Sequence, residues 1–250
     1  MSVYRAEIFE TARNGGAWRE GTEGDGVWAD AGLRLATARR HVDRIERQFR
    51  RAPSKGSALR TGFAAVDAVL PDGGLTCGAI HESLGLAARR FAVHLLARRL
   101  ENAAAPALWA VPVAAGHALY GPGLAGYGVD PSRLVIARYR SAVEGLWLIE
   151  EALKSGAFSL VLGEPEGALG TTAARRLSLA AEAGGTCGLL VSEGGAAISA
   201  PGTSASRWRA EPAPAAISET GPVRRRLSLV LERCRGLTGE ETRRWLLDTV

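Results

Sequence analysis

The chain has 250 residues, enough for one sizeable core, and 46% of them are hydrophobic, which excludes a chain disordered along most of its length. Its formal net charge of +5 permits nucleic acid or an acidic partner without requiring either. Only Lys55 and Lys154 among the 31 basic residues are lysine, and an arginine bias of that kind follows from a GC-rich genome and is a poor indicator of DNA binding.

The start, MSVYRAEIFE, lacks the basic start followed by an apolar run that a signal peptide needs. Residues 1–30, rich in Gly, Glu, Thr and Asn, read as a flexible tail. Over residues 31–56 the pattern becomes a helix and a linker. Leu35, Ala38, Val42, Ile45 and Phe49 step by three and four, the spacing of a heptad seam, with arginines on the other faces. Pro53, Ser54, Lys55 and Gly56 end it and would let it swing. Two readings stand side by side: packing onto the chain's own sheet, or docking to another protomer or partner.

Residues 57–250 form the expected core. Strands are predicted at Ala79–Leu84, Ala107–Val113, Leu134–Ala137, Phe158–Leu162 and Gly188–Val191. Helices are predicted at Ala87–Leu100, with Phe91, Leu95 and Leu96 inward, at Val143–Leu153 and at Thr171–Ala183. This alternation indicates βαβ units and a mainly parallel sheet with helices on both faces. Asn102 to Val129 carries no charged residue, but Pro106, Pro112, Pro122 and five glycines rule out a membrane helix. It reads as a buried strand followed by a glycine-rich loop. Ser206–Ala210, Arg226–Arg233 and a last strand around Trp245 lack intervening helices, which predicts antiparallel strands at the C-terminal end.

Several motifs tempt and fail. Gly121 to Gly126 spells G-x-G-x-x-G but neither follows a strand directly nor opens a long helix, so it reads as a loop. His81-Glu82 lacks the second histidine of a zinc protease. Cys77, Cys187 and Cys234 stand far apart without CxxC or Cys/His spacing, as reduced, buried thiols of a cytoplasmic protein do. No cofactor or metal is expected.

The run from Leu59 to Ile80 holds Thr61-Gly62, Asp67, Leu70, Gly73-Gly74-Leu75 and Gly78. It resembles the lead-in to the phosphate loop of RecA-type ATPases, and the likeness continues through Gly116-His117-Ala118-Leu119, Gly128-Val129-Asp130 and Phe158 to Glu164. The resemblance implies a RecA-like α/β fold. Its catalyst is another matter. An active member needs G-x-x-x-x-G-K-[ST], whereas Leu84-Gly85 runs through Leu86-Ala87-Ala88-Arg89-Arg90 straight into the helix, about three residues short. Gly116 stands where the family carries its water-activating glutamate, and Glu164 where it carries the metal aspartate. Gly85, Arg89, Arg90, Gly116 and Glu164 are therefore degenerate nucleotide-site positions, with the two arginines expected on a solvated helix face.

A degenerate RecA relative of this size, ending in RRRLSLVLERCRG and RRWLLD, resembles the ImuA family. That resemblance implies a non-enzymatic adaptor of damage-inducible, error-prone translesion DNA synthesis. Its implied partners are an ImuB-like polymerase homologue and a RecA-like protein, with DNA reached indirectly through the complex; a homo-oligomer is open. The partner-binding candidates are Leu35, Val42, Ile45 and Phe49 on the seam, and Arg226, Arg243, Arg244 and Trp245 at the C-terminal end. Two other classes stay open: a weak ATPase or ATP-sensing switch using Arg89 or Arg90, and a single-stranded DNA-binding module.

Overall fold

The computed structural model describes residues 58–113, 119–196, 198–199, 202–216, 224–237 and 243–249. The expected tail, the seam of Leu35, Val42, Ile45 and Phe49, the linker to Gly56, and Gly116 lie outside the described residues.

Described structure begins with a lead-in made of β1 (Ala58–Leu59), α1 (Ala64–Asp67) and β2 (Leu75–Thr76). The Thr-Gly…Asp spacing has a local cause. The Asp67 carboxylate accepts hydrogen bonds from the Thr61 amide at 2.8 Å, the Thr61 hydroxyl at 2.7 Å and the Gly62 amide at 3.2 Å, which closes the turn. His94 Nε2 donates to the Thr61 carbonyl at 2.7 Å and so ties the turn to the helix behind it. Gly74 is needed for close approach: a Cβ there would stand 2.6 Å from the Leu59 carbonyl, where β1 and β2 pair.

Among the described residues the main sheet has eight strands. Five of them are β3 (Ile80–Leu84), β4 (Ala107–Pro112), β5 (Leu134–Tyr139), β6 (Leu160–Gly163) and β7 (Cys187–Ser192). They lie in the order β3-β7-β6-β4-β5, every neighbouring pair parallel. Helix α2 (Ala88–Asn102) covers one face, with Phe91, Leu95 and Leu96 fully buried against it. Helices α4 (Ala142–Ser155) and α5 (Thr171–Gly184) cover the other. The predicted strands and helices are thus present, with no boundary moved by more than two residues.

The segment expected as a glycine-rich loop differs. Residues Gly121–Gly126 form a short helix, α3. Pro122 falls in its first turn, where a fixed φ suits a helix and no amide is missed, while Leu124 and Val129 bury into the α2 side of the core. Tertiary burial outweighs the low propensity of three glycines.

At the C-terminal end β8 (Ser206–Ala216), β9 (Arg224–Cys234) and β10 (Arg243–Thr249) extend the sheet in the order β10-β9-β8-β3. The pairs β8–β9 and β9–β10 are antiparallel as expected, yet β8 itself runs parallel to β3. Strand β8 outruns β3: pairing with β3 ends at Arg209, so Pro212 and Pro214 fall where no ladder bond to β3 is lost. Leu227, Leu229 and Leu231 alternate into the core as predicted, and Val230 is buried on the opposite face.

Among the described residues no helix lies in the connection from β7 to β8, and a buried carboxylate does the holding instead. Glu82, fully enclosed in β3, accepts from the Ile198 amide at 3.2 Å, the Ser199 hydroxyl and the Arg207 guanidinium at 3.0 and 3.3 Å. These donors hold its carboxyl below the ordinary carboxylate value against burial, which pushes it up. Its neighbour His81 points to the other face, its Nδ1 bonded to the Ser206 hydroxyl at 2.7 Å and its Nε2 to the Thr76 carbonyl at 3.0 Å. The residues of the His81-Glu82 pair therefore serve different layers.

The Cys187 thiol is fully buried and hydrogen-bonds that of Cys77, which with burial pushes its ionisation well up; Cys77 and Cys234 are only half-buried. Among the described residues no helix is long and apolar enough to cross a membrane.

Candidate functional site

The carboxyl ends of β3, β6 and β7, with the first turn of α2, form the place where a RecA-type protein would bind phosphate. Strand β3 ends at Leu84, and Gly85 turns the chain with φ +99°. A side chain at 85 would be strained by that angle, and its Cβ would meet the Ala210 carbonyl at 2.6 Å as well as the Glu211 carboxylate. In a phosphate loop the amides that follow would point at the ligand. Here each has a partner within the chain. The Gly85 amide donates to the Ser192 carbonyl at 3.0 Å, the Leu86 amide to Glu211 Oε2 at 3.2 Å, and the Ala87 amide to the Ala210 carbonyl at 3.0 Å. Strand β8 thus brings its own carboxylate to the turn.

The second half of the site is closed by an ion pair. Glu164, 8% exposed, follows β6 and is fixed by its amide on the Ala110 carbonyl at 3.1 Å. Its Oε1 accepts from Arg89 Nε and from Trp109 Nε1, both at 3.0 Å, and Arg89 Nη2 donates to Oε2. The buried Tyr139 hydroxyl donates to the Glu164 carbonyl. Burial, with Glu166 and Glu164 nearby, pushes that phenol above its ordinary value. Arg89 Nη1 also stands 3.9 Å from Glu193 beyond β7.

Arg89 and Arg90 consequently do not lie on a solvated helix face. Arg89 is held by Glu164, and Arg90 Nη1 reaches the Arg226 carbonyl at 3.4 Å. The first turn of α2 is wedged between the end of β6 and the C-terminal strands, which solvates neither side chain freely. Glu164 is likewise enclosed. A cation at its carboxylate would have to displace a guanidinium already bound to both oxygens. A cavity of about 440 Å³ lies at the opposite, amino-terminal end of β3, lined by Asp72, Thr76, His81, Ser206 and Arg235 among others.

Gly85, Arg89 and Glu164 thus come together and Arg90 stands beside them. Sequence reasoning missed Glu211, Trp109 and Tyr139, which complete the arrangement. Nothing local marks Glu211, because its role depends on β8 lying beside β3.

The C-terminal candidates separate. Arg226 Nε pairs with Asp248 at 2.9 Å. Trp245 is half-buried against Trp208, ring centres 6.2 Å apart, and Trp208 in turn meets Phe91 at 5.7 Å. Arg243 is half-buried and Arg244 exposed.

The fold and this site define a RecA-like α/β core in which the turn after the first long strand bonds to the chain itself. The chain belongs to the ImuA family. It is 34% identical over 198 residues to Protein ImuA of Caulobacter vibrioides strain NA1000 / CB15N, covering 71% of this chain and 79% of the relative. Protein ImuA of the same species, strain ATCC 19089 / CIP 103742 / CB 15, matches to the same extent. No protein-family model matches the chain.

Proposed function

We propose that this chain is a non-enzymatic adaptor of damage-inducible, error-prone translesion DNA synthesis, the role its family resemblance implies. It joins an ImuB-like polymerase homologue and a RecA-like protein, and meets DNA through that complex. One observation carries the reading: the amides of Gly85, Leu86 and Ala87 are bonded to Ser192, Glu211 and Ala210, so a nucleotide phosphate would have to expel an internal carboxylate. The Arg89–Glu164 pair supports it, because it takes the position where lysine and magnesium chemistry would be needed.

Calorimetry of the full chain with Mg-ATP tests the first half. Silence from micromolar to millimolar nucleotide is expected, and saturable heat would replace the adaptor by an ATP-sensing switch. Capture of the ImuB-like protein by immobilised full chain tests the second half. Capture is expected, and is expected to be lost on deleting residues 31–51; capture untouched by that deletion would remove the Leu35 to Phe49 seam as the docking element.

A further inference from the structure

We infer that a second copy of this chain pairs with strand β10, edge to edge and antiparallel, joining two eight-stranded sheets into one. The inference does not rest on the adaptor reading.

Among the described residues the sheet ends at β10, whose seven residues pair with β9 without interruption from Arg243↔Leu231 to Thr249↔Arg225. An end strand of that length, about 20 Å, presents a row of unpaired amides and carbonyls to whatever lies beside it. Proteins that must stay monomeric blunt such an edge with proline, a bulge or charged side chains. Strand β10 contains no proline and no bulge.

Its charges are arranged to attract a copy of itself. Arg244, Leu246 and Asp248 are exposed on one face of the sheet, with Leu246 58% accessible. Antiparallel pairing about a two-fold axis through Leu246 sets Arg244 opposite Asp248 of the copy, twice, and Leu246 opposite itself. On the other face Trp245 comes opposite Leu247. Opposed residues in an antiparallel pair share a face, so the centre can shift only in whole residues. Centring on Trp245 or Leu247 instead puts Arg244 or Asp248 opposite Leu246 and loses the charge match. A parallel arrangement in register sets arginine on arginine. Asp248 already bonds Arg226 at 2.9 Å within its own copy, and an incoming Arg244 completes an Arg-Asp-Arg row across the joint. A closed two-fold contact with the same patch on both sides is the commonest form of soluble oligomer.

Sedimentation velocity of the full chain from low to high micromolar concentration should show a monomer–dimer equilibrium. Arg244→Asp should weaken it about tenfold, since it reverses two cross-strand charge pairs at once. Asp248→Arg should weaken it too, yet mixing the two variants should restore association, because every opposed pair in the mixed dimer is then of opposite sign. Leu246→Cys, at an exposed position, should cross-link to itself under copper–phenanthroline, while Arg244→Cys and the unsubstituted chain should not. A monomer at all concentrations would overturn the inference and leave the edge to another strand, whether a partner's or this chain's residues 1–57. A dimer indifferent to Arg244→Asp, or one that does not cross-link through position 246, would overturn it equally.

Discussion

The carboxylate of Glu211 accepts the hydrogen bond offered by the backbone amide of Leu86, 3.2 Å away and 125 residues earlier in the chain. That single contact decides the character of the turn between β3 and α2. A turn of this kind binds phosphate when its amides face outward, and here an acidic side chain stands in their path.

Gly85→Ala is expected to cost about 3 kcal/mol, because φ +99° strains any residue with a Cβ and that atom meets Ala210 and Glu211. The denaturation midpoint measures it. In a Glu211→Ala background the same substitution should cost less, since part of the clash is gone, and strict additivity would contradict the arrangement.

Arg89→Ala should destabilise the fold by about 2–3 kcal/mol, because Glu164 is left with Trp109 as its side-chain partner. Adding Glu164→Gln should recover part of the loss. If the double variant is as unstable as the sum of the two, the residues do not act as a pair.

His81 is only 2% exposed, and burial lowers its pKa from 6.5 to about 4. The native state therefore keeps it neutral while the unfolded chain takes up a proton below 6.5. Stability should be full above pH 6.5 and fall by up to about 3 kcal/mol as the pH drops to about 4. His81→Gln should flatten chemical-denaturation profiles across that interval, whatever its cost at neutral pH.

Glu82 acts in a lower window. Its native pKa lies below the ordinary 4.5, so its contribution is present above pH 4.5 and is lost as the pH falls through the native value. Glu82→Gln should be clearly destabilising at neutral pH, with a penalty that shrinks in acid below 4.5. A penalty constant with pH would mean that the ionised carboxylate does not anchor Ile198 and Ser199.

Much of this architecture was legible before any coordinates. The inward set Phe91, Leu95 and Leu96 and the alternation of Leu227, Leu229 and Leu231 follow from helix and strand periodicity, which acts over a few residues. The Thr61-Gly62…Asp67 turn is equally local, closed by one carboxylate within seven residues. The missing Gly-Lys-Ser/Thr end was visible by inspection, and so was the ImuA resemblance. The helical state of Gly121 to Gly126 was not, because it depends on Leu124 finding the core.

By itself, then, the sequence determined the α/β order of elements, the core faces of its helices and the absence of a phosphate-loop lysine. Only the tertiary structure decided what fills that place. Arg89 and Glu164 are 75 residues apart, and Leu86 and Glu211 are 125 apart. Whether such pairs meet depends on strand order and register, in particular on β8 settling parallel to β3. Periodicity and turn chemistry carry no information over that distance, because it is packing of whole layers that brings those side chains together.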